Sequence, residues 1–132
     1  MEYIAKYKKT VKGKWLPVVS ANLIGENGKS YNFNMIIDSG ADKSVINLSA
    51  GKFLGFNLED TDTKTQISGI GGSLTAIYKN LKIIIFDKTI NIVVCWILSD
   101  KVPLLIGRDI FDFFHITFKQ DEKVTVFKWI SK

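Results

Sequence analysis

Met35-Ile36-Ile37 is an apolar, largely β-branched run of the kind that fills a buried strand, and it leads directly into an acid, Asp38. Ser39-Gly40 follows, a pair suited to a tight turn. Burying an unpaired carboxylate at the end of a core strand is costly. A chain that places one there either surrounds it with backbone donors or holds it for chemistry. A second apolar run, Leu104-Leu105-Ile106, ends in Gly107-Arg108-Asp109 and suits a strand threaded beside a tight loop.

The rest of the chain reads as strands and turns, because helical periodicity is nearly absent. Residues 14–24 form an expected strand with Pro17 near its start or on an edge, where a missing N–H is tolerated. Asn27-Gly28 predicts a two-residue hairpin turn with positive φ angles, and the returning strand over 30–37 carries Asp38 to a loop tip. A strand is expected over 43–48. A short helical turn or loop follows over 49–58, capped near Gly55, with Phe53, Leu54 and Phe56 packed inward. Strands over 81–86 and 89–98 predict a hairpin turning at Asp87-Lys88. A strand over 102–106 and a short helix over 109–114 follow, with Phe111, Phe113, Phe114 and His115 in the core. A last hairpin is expected from 116–118 and 124–129. Between 66 and 73, Gln-Ile-Ser-Gly-Ile-Gly-Gly-Ser clusters glycines around Ile70; no Gly-Lys-Ser/Thr follows, so this is no phosphate-binding loop.

Length predicts one domain over 1–132, with 1–13 as a basic N-terminal edge segment. Cys95 is the only cysteine, which excludes an internal disulfide and fits a reducing compartment. With no apolar block at the start and no membrane-length run, a cytoplasmic location is expected. His115 is the only histidine, so neither a Cys/His zinc site nor a Ser-His-Asp triad can be assembled. No metal and no cofactor are expected. Lysine supplies nearly all the positive charge. Arg108 is the only arginine, which marks it as a planar, multidentate donor that a lysine would not replace. Lys6, Lys8, Lys9, Lys12 and Lys14 read as a solvated basic edge, since no helix-turn-helix or stacking motif accompanies them.

With the three motifs in order, Asp38-Ser39-Gly40-Ala41-Asp42, the glycine cluster and Leu105-Ile106-Gly107, the chain from about Trp15 onward resembles the retropepsin-like aspartic proteases, the single-lobe, retroviral-type family. The resemblance implies an all-β, closed barrel-like lobe of hairpins, with a flap and one short helix after the Leu-Ile-Gly motif. It implies an aspartic endopeptidase in which Asp38 from each of two chains meets at a homodimer two-fold axis and activates water. Asp38, Ser39 and Gly40 would be catalytic. Ala41, Asp42, Ile46, Ile67, Ser68, Gly69, Ile70 and Gly71 would bind substrate, and Leu105, Ile106, Gly107 and Arg108 would support the site, with Arg108 paired to Asp42. The implied partners are a second copy and an extended peptide or protein substrate, without nucleic acid or membrane. The alternative is a non-catalytic dimerisation or peptide-binding module of the same fold. In the retroviral enzymes both termini build the dimer sheet, whereas this chain continues past its helix into the hairpin 116–129, more like a pepsin lobe.

Overall fold

The computed structural model describes residues 1–59, 62–69 and 72–130. In order, the elements are β1 (Glu2–Lys6), β2 (Lys8–Lys9), β3 (Trp15–Leu16), β4 (Val18–Ile24), β5 (Ser30–Ile37), β6 (Val45–Ile46), α1 (Leu48–Phe53) and β7 (Lys64–Gly69). They continue with β8 (Gly72–Ile85), β9 (Lys88–Ile97), β10 (Leu105–Ile106), α2 (Arg108–Phe111), β11 (Phe114–Lys119) and β12 (Val124–Trp129). Seven strands form one sheet in the order β4-β5-β10-β6-β9-β8-β7, and a further β4–β8 pairing closes it on itself. Closure removes most of the free edges that an open sheet would expose. Its interior is filled by alternate residues such as Leu23, Met35, Ile83, Ile85, Val94 and Trp96, all fully or almost fully buried. No helix among the described residues is long and apolar enough to cross a membrane.

The terminal segments make a separate three-stranded sheet, β1-β12-β11. It joins the closed sheet through an aromatic cluster. Phe86 stacks on Tyr3 at 4.5 Å between ring centroids and meets Phe127 edge-on at 5.3 Å, and Phe114 meets Phe127 at 5.4 Å. This packing moves the β8–β9 turn one residue upstream of the expected Asp87-Lys88. Phe86 enters the turn with φ of 57°, a conformation that costs a side-chain-bearing residue roughly 1–2 kcal/mol. Contacts with three aromatic rings offset that cost.

Several other expectations are corrected. At Asn27-Gly28 only Gly28 takes a positive φ, 77°. The Gly25 N–H donates to Lys29 O at 3.0 Å and the Lys29 N–H to Asn27 Oδ1 at 2.9 Å, so the loop is wider than a two-residue turn. Pro17 breaks the first expected strand into β3 and β4. The short helix expected after Leu105-Ile106-Gly107 is α2, and the helical turn expected over 49–58 is the helix α1, started by Asn47, whose side chain accepts the Ala50 N–H. Phe53 lies on its outer side and is half exposed, set edge-on against Tyr31, whereas Leu54 and Phe56 are buried. The helix α2 ends at Phe111 because Phe114 is already in β11, and strand alternation that buries Phe114 turns His115 out to solvent.

The Tyr3 hydroxyl donates to Asp87 Oδ1 at 2.5 Å, tying β1 to the β8–β9 turn. This bond holds the Asp87 carboxyl below the usual range and raises the Tyr3 phenol above its own. A depressed carboxylate contributes stability above its ordinary range and loses it as pH falls through the folded value; a raised phenol contributes below its ordinary range and loses it as pH rises. Tyr3→Phe is therefore expected to melt a few degrees below wild type near neutrality, with the gap closing in acid. Thermal melts across pH check this, and coincident curves at neutral pH would remove the latch.

Candidate active site

Asp38 is placed by a strand threaded through a gap. β10 lies parallel to β5, with Leu105 opposite Ile36 and Ile106 opposite Ile37, and its other side pairs with β6 through Leu105 and Val45. The Ile36 N–H donates to Leu104 O at 3.0 Å and the Asp38 N–H to Ile106 O at 2.9 Å, so the main chain is held up to the acid itself. The loop then tightens. The Gly40 N–H donates to Asp38 Oδ1 at 2.8 Å and the Ala41 N–H to Asp38 O at 3.2 Å. The carboxylate is thus oriented by a backbone donor two residues on and stays partly open to solvent, while Ser39 and Gly40 are exposed.

The floor of the loop is a buried polar network. Ser44 is fully buried; its hydroxyl donates to Asp109 Oδ1 at 2.8 Å and accepts the Gly107 N–H at 3.1 Å, and its N–H donates to Asp109 Oδ2 at 3.0 Å. The Arg108 N–H donates to Ala41 O at 2.8 Å. Gly107 has no alternative here, since a Cβ would lie 2.4 Å from the Lys43 carbonyl carbon. A glycine lets the start of α2 press against the Asp38 loop.

Arg108 and Asp42 form the expected salt bridge, but their side chains are 56% and 81% exposed. In this chain alone the pair contributes little to stability. The tie between loop and helix is made instead by Ser44 and Asp109, neither of which the sequence reading singled out; the only available signal was an acid following Arg108 in an otherwise apolar stretch.

The other candidates divide. Leu105, Ile106 and Gly107 lie beneath the loop, and Asp42 beside it. Ile46 is corrected: it has no exposed surface and packs in the core, because β6 is enclosed between β10 and β9. On the hairpin β7–β8, Ile67 is partly exposed and pairs with Leu74; the backbones of Ser68 and Gly69 pair with Ser73 and Gly72. Ile70 and Gly71, at the expected tip, lie outside the described residues. Among the described residues, no cluster of three or more His, Cys, Asp or Glu is placed to hold a metal ion.

A family model described as aspartyl protease matches residues 19–110, from β4 into α2. Among solved structures, the retropepsin-like aspartic protease from Rickettsia conorii is 19% identical, with 96% of this chain and 98% of that chain covered and a TM-score of 0.70. The EIAV protease in complex with an inhibitor is 22% identical, with 78% of this chain and 91% of that chain covered and a TM-score of 0.57. Both likenesses are of fold. A comparison with curated proteins returned no match.

Two variants separate the buried tie from the exposed one. Ser44→Ala leaves the buried Gly107 N–H without a partner and removes one of the two bonds to Asp109 Oδ1, which keeps the Ile110 N–H, and is expected to cost about 1–3 kcal/mol in chemical denaturation. Arg108→Lys is expected to change the stability of the single chain by less than about 0.5 kcal/mol. Equal effects would contradict this division.

Proposed function

We propose that this chain, which belongs to the aspartyl protease family, hydrolyses peptide bonds as a homodimer in which Asp38 of each copy meets at a two-fold axis. The observation that carries this reading is the setting of Asp38: a partly open acid at the end of a core strand, aimed by the Gly40 N–H on a loop held rigid from below. A rigid support is what a catalytic group needs, since small displacements of reacting atoms are expensive in rate.

One carboxylate is insufficient for the reaction. Attack on a peptide carbonyl needs a base to take a proton from water and an acid to give one to the carbonyl oxygen, and two carboxyls sharing one proton supply both. The chain contributes one Asp-Ser-Gly loop, so the second carboxylate comes from a second copy. In the proposed cycle one Asp38 carboxylate accepts the proton of the attacking water. The protonated partner donates to the carbonyl oxygen, and the tetrahedral intermediate collapses with proton transfer to the leaving amine. Ser39 steadies the paired loops, and Ala41 and Asp42 line the substrate's main chain. The hairpin β7–β8, with Ile67, Ser68, Gly69, Ile70 and Gly71, closes over an extended peptide. The exposure of the Asp42–Arg108 pair supports a role in assembly or substrate binding.

The test is cleavage of a mixed peptide library from acidic to neutral pH by wild type and by Asp38→Asn, with sedimentation of both. Wild type is expected to cut as a dimer with a rate that falls on both sides of an optimum, and Asp38→Asn to lose roughly 10²–10⁴-fold or more while still dimeric. Cleavage that survives Asp38→Asn would exclude the dyad. Peptide binding by both dimers, without cleavage by either, would favour a non-catalytic module. Arg108→Lys is expected to weaken dimerisation or turnover; unchanged sedimentation and rate would remove the Asp42–Arg108 pair from the mechanism.

A further inference from the structure

Between the terminal sheet and the β4–β5 hairpin lies a groove of about 590 Å³ whose walls include Ile4, Lys6, Lys8, Ser20, Asn32 and Asn34. The proposed catalysis uses none of these residues. Their main-chain bonding is incomplete. β1 pairs with β12 through its odd-numbered residues, a register continued by the Tyr7 N–H donating to Lys123 O at 2.9 Å, so the N–H and C=O groups of Ile4 and Lys6 point off the sheet. Among the described residues, no further strand lies beside that edge.

The facing wall repeats the pattern. The Ile37 N–H donates to Pro17 O at 2.9 Å, and the Gly25 N–H to Lys29 O at 3.0 Å, which sets the odd-numbered residues of β4 against β5. Asn22 and Ile24 turn their main-chain groups to β8, but that ladder ends at Ala21 and leaves those of Val18 and Ser20 directed into the groove. The side chains above them are polar: the Ser20 hydroxyl donates to Asn32 Oδ1 at 2.8 Å and Asn32 Nδ2 to Asn22 Oδ1 at 2.9 Å, while the Asn34 amide bonds to no other described side chain.

The groove is also where the charge lies. The first 16 residues contain five lysines and one glutamate, and so hold four of the protein's five excess positive charges. Lys6 and Lys8 line the groove, and Lys9, Lys12 and Lys14 stand on the adjoining β2–β3 segment. None of these five lysines has a carboxylate partner among the described residues.

We propose that this groove binds an extended acidic polypeptide segment by strand addition. The free edges offer donors and acceptors in alternation, which another polypeptide main chain satisfies. Phosphates bring acceptors alone and would leave the carbonyls of Ile4 and Lys6 unpaired, and a flat lipid surface does not reach a recessed edge. Acidic side chains at alternate positions of the segment then meet Lys6 and Lys8. The site is independent of Asp38, and the test is made on a chain that cannot cut.

Full-length Asp38→Asn is titrated by fluorescence anisotropy with a labelled synthetic peptide of alternating valine and glutamate, and with its valine–glutamine counterpart. The glutamate peptide is expected to bind at least about tenfold more tightly, with strong salt dependence. Lys6→Glu with Lys8→Glu should lose that margin, while Lys101→Glu, on a distant loop, keeps it. Amide exchange should slow on binding at Ile4, Lys6, Val18 and Ser20. The proposal is overturned by equal binding of the two peptides, by exchange protection confined to the β7–β8 hairpin, or by tighter binding of an oligonucleotide or an anionic vesicle. It is equally overturned if the double lysine variant turns a dimer into a monomer, which would assign the edge to a second copy. None of these outcomes bears on whether the wild type cuts peptides.

Discussion

A polar loop can rest on a hydrophobic core only if its main chain is bonded as it leaves the sheet, and here that condition is met by one buried serine. Ser44 accepts the Gly107 N–H while giving both its own hydrogens to Asp109. The cluster sits where β10 passes between β5 and β6, so a fully satisfied polar group joins the end of the Asp38 loop to the start of α2. Each half of that network would be costly alone, since a buried donor or carboxylate without partners loses its hydration for nothing. Together they make one loop position more favourable than any neighbouring one, which is the precondition for aiming a carboxylate.

The same logic explains why the two ends of the chain are spent on a sheet of their own. The closed sheet has little edge left, but its ends remain open, and the β1-β12-β11 sheet covers the aromatic side of one of them with Phe114, Phe127 and Trp129. In this arrangement β1 finds its partner within its own chain. A strand that pairs internally on one side keeps its other edge for intermolecular use, and lysines along such an edge disfavour indiscriminate pairing with neutral strands.

How much of this was legible in the sequence depends on where each constraint lies. The Asp38 loop, the Leu-Ile-Gly strand and the hairpin carrying the glycine cluster leave local marks: an acid after an apolar run, or glycines where a loop must be tight. The predominantly β character was equally plain from alternation in residues such as Ile90, Ile92 and Val94. Ser44 leaves no such mark. Its partner Asp109 is 65 residues away, and a serine at the end of an irregular loop looks like any solvated one. The turn at Phe86 is illegible for a related reason: no local rule puts an aromatic residue in a left-handed turn, and only rings from β1, β11 and β12 make that choice favourable. Ile46, expected to bind substrate, instead turns its side chain into the hydrophobic core, a choice set by residues far along the chain.

The exposed salt bridge contrasts with the buried tie beneath the loop. Arg108 is the sole guanidinium, and its uniqueness suggested a structural anchor. Yet the chain makes its anchor from Ser44 and Asp109 and leaves Arg108 and Asp42 in solvent. Arg108 is held by its main chain to the Asp38 loop, and its guanidinium pairs with Asp42 at the surface. Its worth rises as water is excluded, because a pair that is weak in solvent strengthens when a second surface covers it. The main chain of Arg108 fixes the loop while its side chain remains at the surface, so the two parts of one residue answer to different constraints.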